Sequence, residues 1–188
     1  MALSVREQHF RGVPAADGTR ATLLDVYFDD RSWQVRYFVV DPGDPLPKLD
    51  VLVLPQYVQA GGAGLEIGLS HAALRHCPEV DDDRPFFLQH DMAAVYQRGD
   101  PHLRSSEVTI GCSVLASDGR AGHVRDFRLD GPPWRVSGVV VDTGLWLPGK
   151  AVCIDPAHVL RIDYVERTLS VRLTRFQLRE NADLVSTS

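Results

Sequence analysis

The stretch Trp33-Gln-Val-Arg-Tyr-Phe-Val-Val-Asp41 returns 101 residues later as Trp134-Arg-Val-Ser-Gly-Val-Val-Val-Asp142. In the first, Trp33, Val35, Tyr37 and Val39 share one side of an extended chain, and a short, wholly apolar run ends it. Period two with an apolar finish predicts a strand buried on one face for most of its length. Working outward, Val13–Val58 falls on Val114–Val159 without a gap. Seventeen positions are identical, among them Asp17/Asp118, Gly18/Gly119, Asp25/Asp126, Asp41/Asp142 and Pro55/Pro156. After a loop three residues longer in the second copy, Leu65–Leu74 aligns with Leu169–Leu178. Self-similarity at a fixed offset predicts one structural unit built twice.

The rest of each copy reads the same way. Ala21 to Phe28 and Gly122 to Leu129 lead into the tryptophan strands through Asp29-Asp-Arg-Ser32 and Asp130-Gly-Pro-Pro133. These are turn residues, so each pair is expected to be an antiparallel hairpin. Strands are further predicted near Gln8–Ala15, Val108–Ala116, Val51–Leu54, Ala151–Ile154, Val159–Val165 and Leu169–Leu173. Short antiparallel strands must hide their edges, and closure into a small barrel is the expected solution. The predicted fold class is therefore all-β: two small antiparallel barrels, 1–76 and 105–179, each with its own core. The linker 77–104 carries a helix near Phe87–Arg98, on which Leu88, Met92, Val95 and Tyr96 form one apolar stripe. The polar end, 180–188, is expected to fray.

Composition narrows the class of protein. The net charge of −5 favours solubility and disfavours a sequence-independent nucleic-acid binder, which needs concentrated cations. No run approaches the roughly 20 apolar residues of a membrane span, and the start lacks a secretory pattern, so a cytoplasmic location is expected. Cys77, Cys112 and Cys153 form no C-x-x-C pair, which points to ordinary reduced thiols.

Gly122-His-Val-Arg-Asp-Phe-Arg-Leu-Asp130, Trp134, Val139-Val-Val-Asp-Thr-Gly-Leu-Trp-Leu-Pro-Gly-Lys150 and Ile154-Asp-Pro-Ala-His-Val159 together resemble a PRC-barrel domain. The family is named for the cytoplasmic domain of the photosynthetic reaction-centre H subunit, and a related barrel occurs in a ribosome-maturation factor. The first copy carries the pattern less completely, with Asp44-Pro-Leu-Pro-Lys48 in the equivalent loop. The resemblance covers nearly the whole chain and implies a tandem PRC-barrel protein, a type of module used in assembly and interaction.

His71, His76, Cys77 and His90 would have to converge to hold a metal, and their spacing does not enforce convergence. The duplicated carboxylates Asp25/Asp126 and Asp41/Asp142 sit beside turns, where accepting backbone N–H groups is the ordinary role. No Walker loop, G-x-S-x-G or G-x-G-x-x-G occurs. No catalytic residue, metal or cofactor is expected, and the chain is expected not to be an enzyme. The loop bearing Leu145, Trp146, Leu147 and Lys150 is the first candidate protein contact, with a barrel plug as the structural alternative. Met92 and Val95 are the second, for self-association across a two-fold axis. The expected function is a soluble interaction and assembly module with a protein partner. The alternatives are an RNA- or ribosome-assembly factor, and an enzyme or small-ligand binder with its site between the barrels.

Overall fold

The structure is a computed structural model that describes residues 2–9, 11–43, 50–62, 64–80, 100–144, 151–180 and 184–185. In chain order the first copy forms β1 (Leu3–Ser4), α1 (Val5–Gln8), β2 (Gly12–Pro14), β3 (Arg20–Asp29), β4 (Val35–Asp41), β5 (Val51–Val53), β6 (Val58–Gly61), β7 (Gly64–Ile67) and α2 (His71–Leu74). The second copy repeats that order as β8 (Leu103–Ser105), α3 (Ser106–Thr109), β9 (Ser113–Ala116), β10 (Gly119–Asp130), β11 (Arg135–Asp142), β12 (Ala151–Ile154), β13 (Val159–Asp163), β14 (Thr168–Val171) and α4 (Arg175–Glu180). Within the stretch expected to fray, β15 (Leu184–Val185) pairs with β12.

The two halves match rung by rung. Leu23 faces Val40 and Asp25 faces Val39 in the first hairpin; Val124 faces Val141 and Asp126 faces Val140 in the second. Both ladders slip at the same two places, between Leu23 and Asp25 or Val124 and Asp126, and again before Phe28 or Leu129. An extra residue in one strand bends it and increases its twist. Phe38 faces Val53 as Val139 faces Ile154. At the far edge β14 runs parallel to β9, and a single parallel bridge from Ala15 to Ile67 marks the same contact in the first copy.

The expected barrel closure is corrected: among the described residues no sheet closes. An eight-stranded sheet runs β13-β14-β9-β10-β11-β12-β15 with β1 alongside β10, and a five-stranded sheet runs β2-β3-β4-β5 with β8 alongside β3. The physical reason is an exchange of arms. Leu3 and Ser4 pair with Leu129 and Arg128 of the second copy, while Arg104 and Ser105 pair with Phe28 and Tyr27 of the first. Each long strand thus satisfies its free edge with the other copy's leading strand, and closure on itself is unnecessary.

A second correction concerns the core. Two separate cores were expected, but one cluster of buried side chains runs through both copies, from Val5 to Leu178. Phe28 and Phe127 join the halves with ring centroids 5.3 Å apart. The tryptophan strands meet as well, since Val35 N–H donates to the Trp134 carbonyl at 3.0 Å and Val136 N–H to the Trp33 carbonyl at 2.7 Å. The indoles themselves part company. Trp33, at φ +60°, stacks on Phe28 at 5.4 Å, whereas Trp134 meets the edge of Phe38 at 5.7 Å and donates its ring N–H to the Val58 carbonyl.

Because Trp134 is only 3% exposed and its indole crosses into the first copy, Trp134→Ala should destabilise the whole chain by about 3–5 kcal/mol. Urea melts should show a single transition shifted to lower midpoint. A loss under about 1 kcal/mol would show that the indole does not hold the halves together.

Candidate functional site

The duplicated carboxylates are each used by the scaffold. Ser4 Oγ donates to Asp126 Oδ2 at 2.5 Å, and Arg6 N–H donates to Asp126 Oδ1 at 2.9 Å. At the equivalent place, Ser105 Oγ donates to Asp25 Oδ2, while Ser106 Oγ and Glu107 N–H reach Asp25 Oδ1 at 2.6 and 3.0 Å. Ser4 and Ser105 also cap α1 and α3 by accepting from Glu7 and Val108 N–H. A buried carboxylate needs several donors, and a helix's first turn has N–H groups without partners inside the helix. Asp17 and Asp118 accept His71 and Arg175 N–H at the starts of α2 and α4. Asp41 and Asp142 accept Gly43 and Gly144 N–H in matching turns.

Electrostatics follow from these settings. Burial pushes the Asp25 carboxyl above the ordinary carboxylate range, with its hydroxyl and N–H donors pulling the other way. Exposed Asp17 is lowered by Thr19 and the His71 N–H. Burial raises the Cys77 and Cys112 thiols, which suppresses the nucleophilic thiolate.

Where the copies differ, the seam between them is polar. Asp30 receives His102 Nδ1 at 2.8 Å and Arg104 Nη2 at 2.6 Å. Arg104 lies over the Tyr164 ring at 5.3 Å, and the Tyr164 hydroxyl accepts from Ser105 N–H at 2.8 Å. The first copy's counterpart of Arg104 is Leu3, and the second copy's counterpart of Asp30 is Gly131, so this cluster exists once. Beside it opens a cleft of about 470 Å³ between the copies. Arg31, Trp33, Arg135, Ser137, Asp155 and Arg172 are among its walls. Asp29 Oδ1 holds the Arg31 and Ser32 N–H groups at 3.0 and 2.7 Å, and Arg172 N–H bonds the His158 carbonyl at 3.0 Å, so the arginine backbones are fixed.

The residues favoured by sequence lie elsewhere. Leu145, Trp146, Leu147, Lys150, Met92, Val95 and the expected helix at 87–98 fall outside the described residues, as does His90. His71 opens α2, and Cys77 Sγ lies 3.7 Å from the Ala73 carbonyl. Among the described residues no three His, Cys, Asp or Glu side chains gather to hold a metal ion. Arg31, Arg135 and Arg172 were missed by sequence reading. Their signal was present in the repeat, as charges whose counterparts in the other copy, Pro132, Gln34 and Gly68, are uncharged.

No protein-family model matches this chain, and no curated protein matches it.

Asp25 takes three donors from the opposite arm and Asp126 takes two. Asp25→Ala should therefore cost about 2–4 kcal/mol in chemical melts, and Asp126→Ala somewhat less. Stability also gains a specific pH slope. In the unfolded chain Asp25 releases its proton near 3.8, and the folded chain holds it to higher pH. Between those two values the native state binds more protons, so stability falls as pH rises through that window. Asp17, shifted the opposite way, loses its contribution only as pH falls below 3.8. Melts at closely spaced pH should show the upper slope vanish in Asp25→Asn.

Proposed function

We propose that this chain is a non-enzymatic interaction and assembly module, built as two PRC-like barrel units related by duplication and acting on a protein partner in the cytoplasm. In this reading each unit is a barrel left open where the other unit's arm takes the free edge. The matched ladders and reciprocal arms support the duplication. Among the described residues no helix is long and apolar enough to cross a membrane.

One observation carries the partner-binding reading. The duplicated polar residues serve the scaffold, whereas the most exposed large apolar residues, Leu160, Val165 and Phe176, all belong to the second copy, against the less exposed Leu54 and Tyr57 in the first. Leu160 and Phe176 are 61% and 69% exposed, and their first-copy counterparts are Gln59 and Ala72. Large exposed apolar side chains without counterparts in the matching half support a contact role for the second copy. A protein captured from native extract by the wild type, identified by mass spectrometry and rebuilt from purified components, should be lost with Leu160→Gln/Phe176→Ser at unchanged melting temperature. Equal capture by the double variant would refute this surface.

A second reading is favoured by the seam cleft. A volume of about 470 Å³, walled by both copies and lined with charge, supports a small-ligand site between the units.

A further inference from the structure

Exchanging the two copies separates what the cleft inherits from what it alone possesses. Trp33 maps onto Trp134, Val136 onto Val35, Pro156 onto Pro55 and Val159 onto Val58, all identical. The charges do not survive the exchange. Arg31 maps onto Pro132, Arg135 onto Gln34, Arg172 onto Gly68, and Asp155 onto Leu54. On that opposite side the Trp134 ring N–H bonds Val58, while Trp33 is turned onto Phe28 and leaves its side of the seam open.

The three guanidinium groups form no ion pair with any described residue. Asp30 is already matched by His102 and Arg104, and Asp155 Oδ1 accepts Ala157 N–H at 2.8 Å. Three arginines against Asp155 leave two positive charges in excess around one cleft, within a chain whose net charge is −5. Like charges brought together repel, and an anion relieves the repulsion. A carboxylate offers one negative charge and two oxygens, which one arginine fork already satisfies. A phosphate monoester carries about −1.5 to −2 at neutral pH and three acceptor oxygens, which matches both the charge and the number of forks.

We propose that the seam cleft binds a small phosphorylated molecule, a phosphate monoester or diphosphate, through Arg31, Arg135 and Arg172. This rests on the reading of the cleft as a ligand site.

The test titrates the full chain calorimetrically, at fixed ionic strength, with pyrophosphate, adenosine monophosphate, adenosine and a ten-nucleotide single-stranded RNA. Pyrophosphate or the monophosphate should bind saturably at one site per chain, and adenosine should not. Arg135→Ala and Arg172→Ala should each weaken binding about tenfold or more, while Arg179→Ala on α4 leaves it unchanged. Arg135→Lys, which keeps the charge and loses the fork, should fall between. Thermal melts of each variant verify folding, since all these side chains are exposed. Adenosine binding as tightly as its monophosphate would overturn the phosphoryl assignment and leave the ligand cleft standing. Binding by none of the small molecules would overturn both, as would RNA binding without them. Phosphate binding indifferent to both arginine substitutions would place the anion elsewhere and overturn the assignment.

Discussion

Asp25 and Asp126 hold the opposite copy's leading arm by accepting its serine hydroxyl and first-turn N–H groups. Almost everything else follows from that pair of contacts. A buried carboxylate is stable only where several donors converge, and a short capped turn presents such donors in a fixed fan. Once the arm is pinned, its strand completes the edge of β3 or β10, and the sheet need not curl into a barrel. The arms also draw the tryptophan strands together, so that the Trp33 and Trp134 carbonyls accept the Val136 and Val35 N–H groups and one large core cluster spans both halves. A unit of this size has little core of its own, and sharing it is the economical arrangement.

This arrangement separates the positions that must stay alike from those that need not. Asp17/Asp118, Asp25/Asp126 and Asp41/Asp142 each accept the same backbone groups in both copies, and changing either member would orphan a donor. The turn before each tryptophan carries no such obligation. There the first copy has Asp-Arg-Ser and the second Gly-Pro-Pro, and the two indoles take different directions. A non-glycine residue at positive φ costs roughly 1–2 kcal/mol, and Trp33 recovers part of this by stacking on Phe28.

The hairpins were legible because apolar residues alternate from Trp33 and from Trp134 into a short apolar run and the turns use unambiguous residues. That the two registers agree, irregularities included, follows from the gapless offset. The arms were not legible. Leu3–Ser4 and Leu103–Ser105 are too short to show any period, and their partners lie more than seventy residues away. The four-residue helices α1, α2 and α3 are likewise too short for a 3.6-residue stripe to emerge. The carboxylates were read correctly as acceptors of N–H groups, but nothing local reveals that the donors of Asp25 and Asp126 come from the other copy. The cleft needed a different operation, subtraction of one copy from the other, and its arginines gain meaning only once the seam joins them.

Function is free to reside where the copies differ. Under copy exchange an unmodified pair would present two equal seams, two equal helix faces and two equal hairpin turns. Here the ion cluster of Asp30, His102 and Arg104, the three cleft arginines, and the exposed Leu160 and Phe176 all lack counterparts. The cluster is consumed in holding the second arm, because both cations point at one carboxylate. The cleft arginines have no ion-pair partner among the described residues, and Leu160 and Phe176 stand exposed there. Charge left unneutralised and apolar surface left wet are both unfavourable for an isolated fold. The counterparts Pro132, Gln34 and Gly68 of the cleft arginines, and Gln59 and Ala72 of the apolar pair, belong to copies that keep the same ladders, and it is this excess over the needs of the fold that the proposed partner and ligand would offset.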